Sequence, residues 1–199
     1  ASFIPKIQSA VKKTGQISGV IHGAGNLADK LIENKSGSDF DIVVNTKIQG
    51  LKNIIKAVKP EQLDFLILFS SVAGFFGNIG QADYAIANEL LNKSALILNK
   101  SLPDCRVISI NWGPWDSGMV SPELKKVILE KNIQLISSEN GINALVNELF
   151  RTEQKTPQII PLFLSGGKTY PKVNSPKIPV WQKLKSAKLI RLPSYKGDA

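Results

Sequence analysis

The run from Leu63 to Phe69, apolar apart from Asp64, is too short for a core helix and reads as a strand buried on both faces. It delivers Ser70 and Ser71 into the turn Val72-Ala73-Gly74. Tyr84 follows thirteen residues after Ser71, at the expected start of a helix. A doubly buried strand that ends in hydroxyls beside a glycine belongs at the edge where open α/β sheets bind ligands, and with a tyrosine close by it has the layout of a redox site.

The flanking segments support a sheet of this kind. Apolar residues at Phe3, Ile4, Ile7 and Val11 predict a helix over residues 2–13, and Ile17 to Ile21 a buried strand opening into the small-residue loop His22-Gly23-Ala24-Gly25. Ser36 and Asp39 supply capping residues for one helix through Val43, Val44, Leu51, Ile54 and Ile55 to Val58, closed by Pro60. Lys47 falls on that helix's apolar stripe, a costly position unless the ammonium reaches a partner or a ligand. Residues 70–80 read as a loop, and 81–99 as a helix with Tyr84 and Asn88 on one face. Arg106 to Asn111 predicts a strand running into the rigid turn Trp112-Gly113-Pro114-Trp115. Helices are expected after Ser121-Pro122 and after Ser137 or Ser138, and a last strand over Gln158–Leu164. Strands alternating with helices predict an α/β fold, a Rossmann-like parallel sheet with helices on both faces. Its strand ends bring residues 22–25, 70–71 and 111–115 to one crevice.

Charge and cysteine content exclude several alternatives. From Ser165 onward eight Lys or Arg stand against one acid, a net +7, leaving +2 of the whole chain's +9 for residues 1–164. The division expected is a globular segment 1–164 and a basic linker 165–199, with no nucleic-acid partner, because no aromatic-interleaved motif accompanies the basic residues. No run reaches the roughly 18 apolar residues of a membrane span, and no signal-peptide pattern opens the chain, so the cytoplasm is the expected compartment. One cysteine, Cys105, and one histidine, His22, assemble no metal cluster.

Five segments in order, His22-Gly23-Ala24-Gly25, Leu27-Ala28-Asp29, Phe69 to Gly74, Gly80 to Asn88 and Asn111 to Trp115, resemble the ketoreductase domains of modular polyketide, polyunsaturated-fatty-acid and glycolipid synthases, within the short-chain dehydrogenase/reductase superfamily. The resemblance runs from about Gly19 to Leu164. It implies NADPH-dependent reduction of a β-ketoacyl thioester, presented on the phosphopantetheine of an acyl carrier protein among other synthase domains. It also implies Tyr84 as proton donor, Ser71 as the hydroxyl that binds the substrate carbonyl, and Lys47 and Asn88 as the remaining pair. Asparagine four residues after the tyrosine, with lysine on the preceding helix, is the ketoreductase arrangement, which gives Lys47 its reason. His22, Gly23, Ala24 and Gly25, with Asn111, Gly113 and Pro114, match the cofactor-binding segments. Trp112 lies where the family's substrate loop runs.

The chemistry is consistent with these residue types. Hydride reduction builds negative charge on a carbonyl oxygen, which two hydroxyl donors stabilise and one must protonate. A free tyrosine, with a pKa near ~10, is a reluctant acid or base at neutral pH, and Lys47 is expected to lower it. Each residue also has a structural alternative: Tyr84 covering the sheet edge, Ser70 and Ser71 as turn residues, Lys47 snorkelling to solvent. Their joint spacing favours the site.

The family's stereochemical positions point to the D (3R) alcohol. Leu27 and Asp29 match its Leu-x-Asp signature, with Ala28 departing from the fuller Leu-Asp-Asp form, and Phe76 stands where producers of the L alcohol carry tryptophan. No Gly-x-Gly-x-x-Gly turn precedes Gly15. The resemblance therefore implies a C-terminal part of the doubly wound fold, with about half of the catalytic fold and its main dinucleotide turn lying elsewhere. The isolated chain would then be either part of an active reductase or a non-catalytic remnant or interaction module.

Overall fold

The structure, a computed structural model, describes residues 3–118, 120–131, 133–151 and 156–161. These fall into two compact units, the first of residues 3–111 and 156–159 and the second of the described residues of 112–151 and 160–161.

In the first unit, α1 (Phe3–Thr14) packs its buried Ile7 side toward the helical segment that follows strand β1 (Gly19–His22). The sequence predicts a single helix for that segment. It is instead α2 (Gly37–Val44), a π turn (Asn45–Gln49) and α3 (Gly50–Ala57) in succession. A capping box starts it, with Ser36 Oγ accepting from Asp39 N–H and the Asp39 carboxylate from Ser36 N–H. The wide turn carries both Thr46 and Lys47 inward, at 8% and 3% exposure.

Strand β2 (Phe65–Ser71) pairs in parallel with β1, Gly19 facing Phe65 and His22 facing Leu68. Residues 70–80 are not all loop. The strand continues to Ser71, whose Oγ accepts from Ala73 N–H and so caps a short helix, α4 (Val72–Phe76). Then comes α5 (Ala82–Ser101), followed by β3 (Arg106–Trp112). Strand β4 is Gln158–Ile159, parallel to β3, with Ser109 opposite Gln158. Residues 162–164 of the expected strand and the basic segment 165–199 lie outside the described residues.

The four strands form one sheet in the order β1-β2-β3-β4, the parallel Rossmann-like arrangement that the alternation of strand and helix predicts. Alternation along β2 sends Leu66 and Leu68 to one face, where they meet Leu51 of α3, Leu91 and Ala95 of α5, Val107 and the buried Cys105. Leu66, Leu68 and Leu91 are fully buried, each contributing on the order of 2 kcal/mol. This core fixes α3 and α5 beside the C-terminal ends of β1 and β2.

The second unit holds α6 (Pro122–Glu130), capped by Ser121, and α7 (Ser138–Phe150), capped by Ser137. Ile136 forms a bridge with Trp115: its N–H donates to Pro114 O, and its carbonyl accepts from Asp116 N–H, both at 2.8 Å.

Candidate active site

Ser71 ends β2, while Tyr84 and Asn88 stand one above the other on the first turns of α5. The π turn presents Lys47 to the same place. The Lys47 ammonium donates to Phe69 O at 2.9 Å and to Ala24 O at 3.4 Å, and lies 5.7 Å from the centroid of the Tyr84 ring. Asn88, fully buried, donates from Nδ2 to Tyr84 O at 2.7 Å, and its Oδ1 has no protein partner. The structure thus brings Lys47, Ser71, Tyr84 and Asn88 together.

Gly74 makes this approach possible. A Cβ there would lie 2.8 Å from Asn88 Cβ and 3.0 Å from the backbone of Asn88 and Glu89, so only glycine lets α4 rest on α5 at this point.

The electrostatics differ in one respect from the sequence expectation. Burial pushes the Tyr84 hydroxyl above its ordinary value, opposed by hydrogen bonding from Asn88 and Ser71, and the Asp29 charge raises it further. The net shift is upward, the reverse of the lowering expected from Lys47. Its ammonium faces the ring, and burial lowers the lysine's own pKa to about 8. Tyr84 is therefore a neutral hydroxyl at neutral pH, able to give a proton but not poised as a phenolate.

His22 ends β1 at 3% exposure, with Nε2 2.8 Å from Lys47 O. Burial drives its pKa down to about 4, so at neutral pH the ring is uncharged and Nε2–H is the donor that meets this carbonyl. It anchors the π turn. Gly23, Ala24 and Gly25 run without regular structure beyond it, Ala24 offering its carbonyl to Lys47. Asn26 Nδ2 donates to Thr46 Oγ1 at 2.9 Å, tying the same loop to the π turn.

Leu27 is 38% exposed, and Asp29 accepts from Gln81 Nε2 at 2.8 Å. Phe76 is 74% exposed at the end of α4, its ring edge-on to Phe75. Asn111 is buried within the first unit, where Nδ2 donates to Ile159 O and Oδ1 accepts from Ser70 and Asn92. Trp112, Gly113 and Pro114 belong to the second unit, Trp112 buried and packed edge-on against Trp115 at 4.9 Å between centroids.

Sequence reasoning missed two sets of residues. One is the buried network beneath the site, in which Asn92 links Glu89, Asn111 and Ser109. Its signal is present, since Asn92 extends the four-residue spacing of Tyr84 and Asn88 into what should be an apolar stripe. The other is the pair Lys35 and Asp83, their side chains 3% and 0% exposed, with Lys35 Nζ 2.8 Å from Asp83 Oδ1. Nothing in the spacing of residues 48 positions apart marks them as partners.

Comparison with known proteins agrees with this fold. The family model described as "KR domain" matches residues 3–117. The chain is 48% identical over 131 residues to a subunit of the polyunsaturated fatty acid synthase of Thraustochytrium sp., covering 66% of this chain and 5% of that protein. It is 37% identical over 150 residues to Polyketide synthase PksN of Bacillus subtilis, covering 72% of this chain and 3% of that protein. Among solved structures, an N-terminal ketoreductase from the macrolactin assembly line superposes with a TM-score of 0.68 at 28% identity, over 79% of this chain and 30% of that one. The chain therefore spans a small part of the curated relatives and under a third of this solved ketoreductase. With more than half of its length matched by the family model, this chain belongs to the KR domain family, the ketoreductases of the short-chain dehydrogenase/reductase superfamily.

Proposed function

We propose that this chain carries the catalytic edge of an NADPH-dependent β-ketoacyl reductase, which converts a β-ketoacyl thioester on an acyl carrier protein to the D (3R) β-hydroxyacyl thioester. The observation that supports it best is the meeting of Lys47, Ser71, Tyr84 and Asn88 from three elements, around a tyrosine kept neutral by burial. In this reading residues 1–164 belong to the reductase, and residues 165–199 link it to other synthase domains, in the cytoplasm.

The donor set suits a nicotinamide dinucleotide. Lys47 has three N–H bonds and donates to two carbonyls, leaving one for a ligand hydroxyl, and the buried Asn88 Oδ1 is an unanswered acceptor. The loop of His22, Gly23, Ala24 and Gly25 would hold the cofactor within the first unit, with Asn111 contributing at the end of β3. NADPH, when bound, supplies the hydride, which no side chain carries.

The protein's own part is positioning and proton transfer. Ser71 Oγ accepts from Ala73 N–H, and its hydroxyl proton, which meets the Tyr84 hydroxyl in the free site, would turn to the substrate carbonyl. Tyr84 Oη gives the proton that the developing alkoxide takes up. Asn88 holds the first turn of α5 through Tyr84 O, and Lys47 holds the end of β2 through Phe69 O. Leu27, Asp29 and Phe76 select the face of the ketone.

The test uses the full-length protein that carries this segment, with NADPH and a β-ketoacyl N-acetylcysteamine thioester. Tyr84→Phe should lower kcat by about 10²–10⁴-fold with little change in NADPH binding. Chiral chromatography should give the D alcohol, and the L alcohol would overturn the stereochemical assignment. No turnover by the unsubstituted protein would leave the alternative, an interaction module that keeps the reductase signature.

A further inference from the structure

Residues 23–31 have no regular secondary structure, yet three contacts hold them and the segment that follows to the start of α5, and a fourth ties that segment back to the loop. Lys30 N–H donates to Gly80 O at 3.0 Å, a carbonyl that faces it because Gly80 adopts φ +80°. Gln81 Nε2 donates to Asp29 Oδ2 at 2.8 Å. Lys35 Nζ donates to Ala28 O at 2.7 Å and pairs with Asp83 Oδ1 at 2.8 Å. Of these side-chain contacts, the Gln81–Asp29 bond is exposed and easily exchanged for water. The Lys35–Asp83 pair is not.

The same Asp83 Oδ1 accepts the N–H of Tyr84 at 2.8 Å. One carboxylate oxygen therefore joins the backbone of Tyr84 to the ammonium that grips Ala28, between Leu27 and Asp29. A buried ion pair is a poor device for stability alone, because desolvation cancels much of its attraction and an apolar pair of equal volume does as well. What an apolar pair cannot do is direct an ammonium at a carbonyl and a carboxylate at an N–H in the same contact.

We propose that Lys35 and Asp83 are positioning residues that fix the Leu27–Asp29 segment relative to Tyr84, and so set which face of the ketone is reduced. This rests on the reductase reading above. Neither residue touches the reacting atoms; they act through Ala28 and through the backbone of Tyr84.

The decisive variant is the double substitution Lys35→Met with Asp83→Asn, which removes both charges without leaving one buried alone. Hydrogen exchange on the 199-residue chain should show the amides of residues 27–30 opening about tenfold faster than in the unsubstituted chain. In the full-length protein, with the N-acetylcysteamine substrate, the D-to-L product ratio should fall about tenfold and KM should rise more than kcat falls. Asp83→Asn alone, which keeps an acceptor for Tyr84 N–H, should move the same readouts in the same direction. It decides the matter if the double variant does not fold. Unchanged exchange and an unchanged product ratio in a folded variant would overturn the proposal. Failure of the unsubstituted protein to reduce the substrate would sink the reductase reading instead, while the exchange measurement still decides whether the pair holds the loop.

Discussion

The ammonium of Lys47 lies 5.7 Å from the centroid of the Tyr84 ring, and Phe69 O, not the tyrosine hydroxyl, receives its shorter hydrogen bond at 2.9 Å. Lys47 thus spans the end of β2 and the start of α5 from the π turn, at the cost of burying a cation. Its pKa falls from 10.5 to about 8 on folding. The unfolded chain therefore binds the extra proton between pH 8 and 10.5, and stability rises with pH across that window, by on the order of 3 kcal/mol in all. Lys47→Met should abolish this rise in urea titrations taken at several pH values. At neutral pH it should leave the chain as stable as before or more so, while catalysis in the full-length protein is lost. An equally steep rise in the variant would show that the slope has another source.

His22 predicts the opposite end of the pH range. Burial takes its pKa from 6.5 to about 4, so the unfolded chain is protonated first as the pH drops. Stability is then complete above pH 6.5 and declines as pH falls toward 4, by on the order of 3 kcal/mol from this group. His22→Gln keeps an amide N–H for Lys47 O and removes the titration. The variant's acid limb should be shallower than that of the unsubstituted chain between pH 6.5 and 4, measured by circular dichroism in denaturant. Identical acid limbs would mean that His22 is not what fails first.

Legibility of the fold follows periodicity. The strand around Leu66 and Leu68, the capped start at Ser36 and the face shared by Tyr84 and Asn88 can all be read because each is a local pattern: a short apolar run, a pair of capping residues, and a four-residue helical spacing. The inward Lys47 is legible as an anomaly on an apolar stripe. What escapes is long-range or depends on burial. The π turn arises where His22, on a different strand, takes up Lys47 O, and no local pattern announces it. The direction of the Tyr84 shift is the reverse of the sequence expectation because proximity of a lysine says nothing about which side of the ring it faces or how dry the hydroxyl is.

Gly74→Ala tests the closeness of α4 and α5. The added methyl would meet Asn88 Cβ at 2.8 Å and two backbone atoms at 3.0 Å, and backbone cannot rotate away as a side chain can. Overpacking of this kind should destabilise the chain by about 1–3 kcal/mol. In the full-length protein it should also lower kcat, because the displaced turn carries Asn88 and its bond to Tyr84 O. A thermal midpoint and a kcat both equal to those of the unsubstituted protein would contradict so close an approach of the two helices.

The network below the site yields the last prediction, and it separates hydrogen bonding from packing. Asn92, fully buried, accepts from Ser109 Oγ at 2.7 Å and donates from Nδ2 to Asn111 Oδ1 at 2.9 Å and to Glu89 Oε2 at 2.8 Å. Asn92→Leu strands the Ser109 hydroxyl in a dry interior, whereas Asn111 Oδ1 still accepts from Ser70. The orphaned hydroxyl should dominate, at about 1–3 kcal/mol. Ser109→Ala alone strands Asn92 Oδ1 at a similar cost. Combining Asn92→Leu with Ser109→Ala removes both partners of that bond, so the double variant should be less destabilised than the two singles added together, by about 1–2 kcal/mol. Urea denaturation of the four proteins gives this coupling directly. Strict additivity would mean that the bond between Asn92 and Ser109 contributes nothing measurable, and that the side chains merely fill space between α5 and β3.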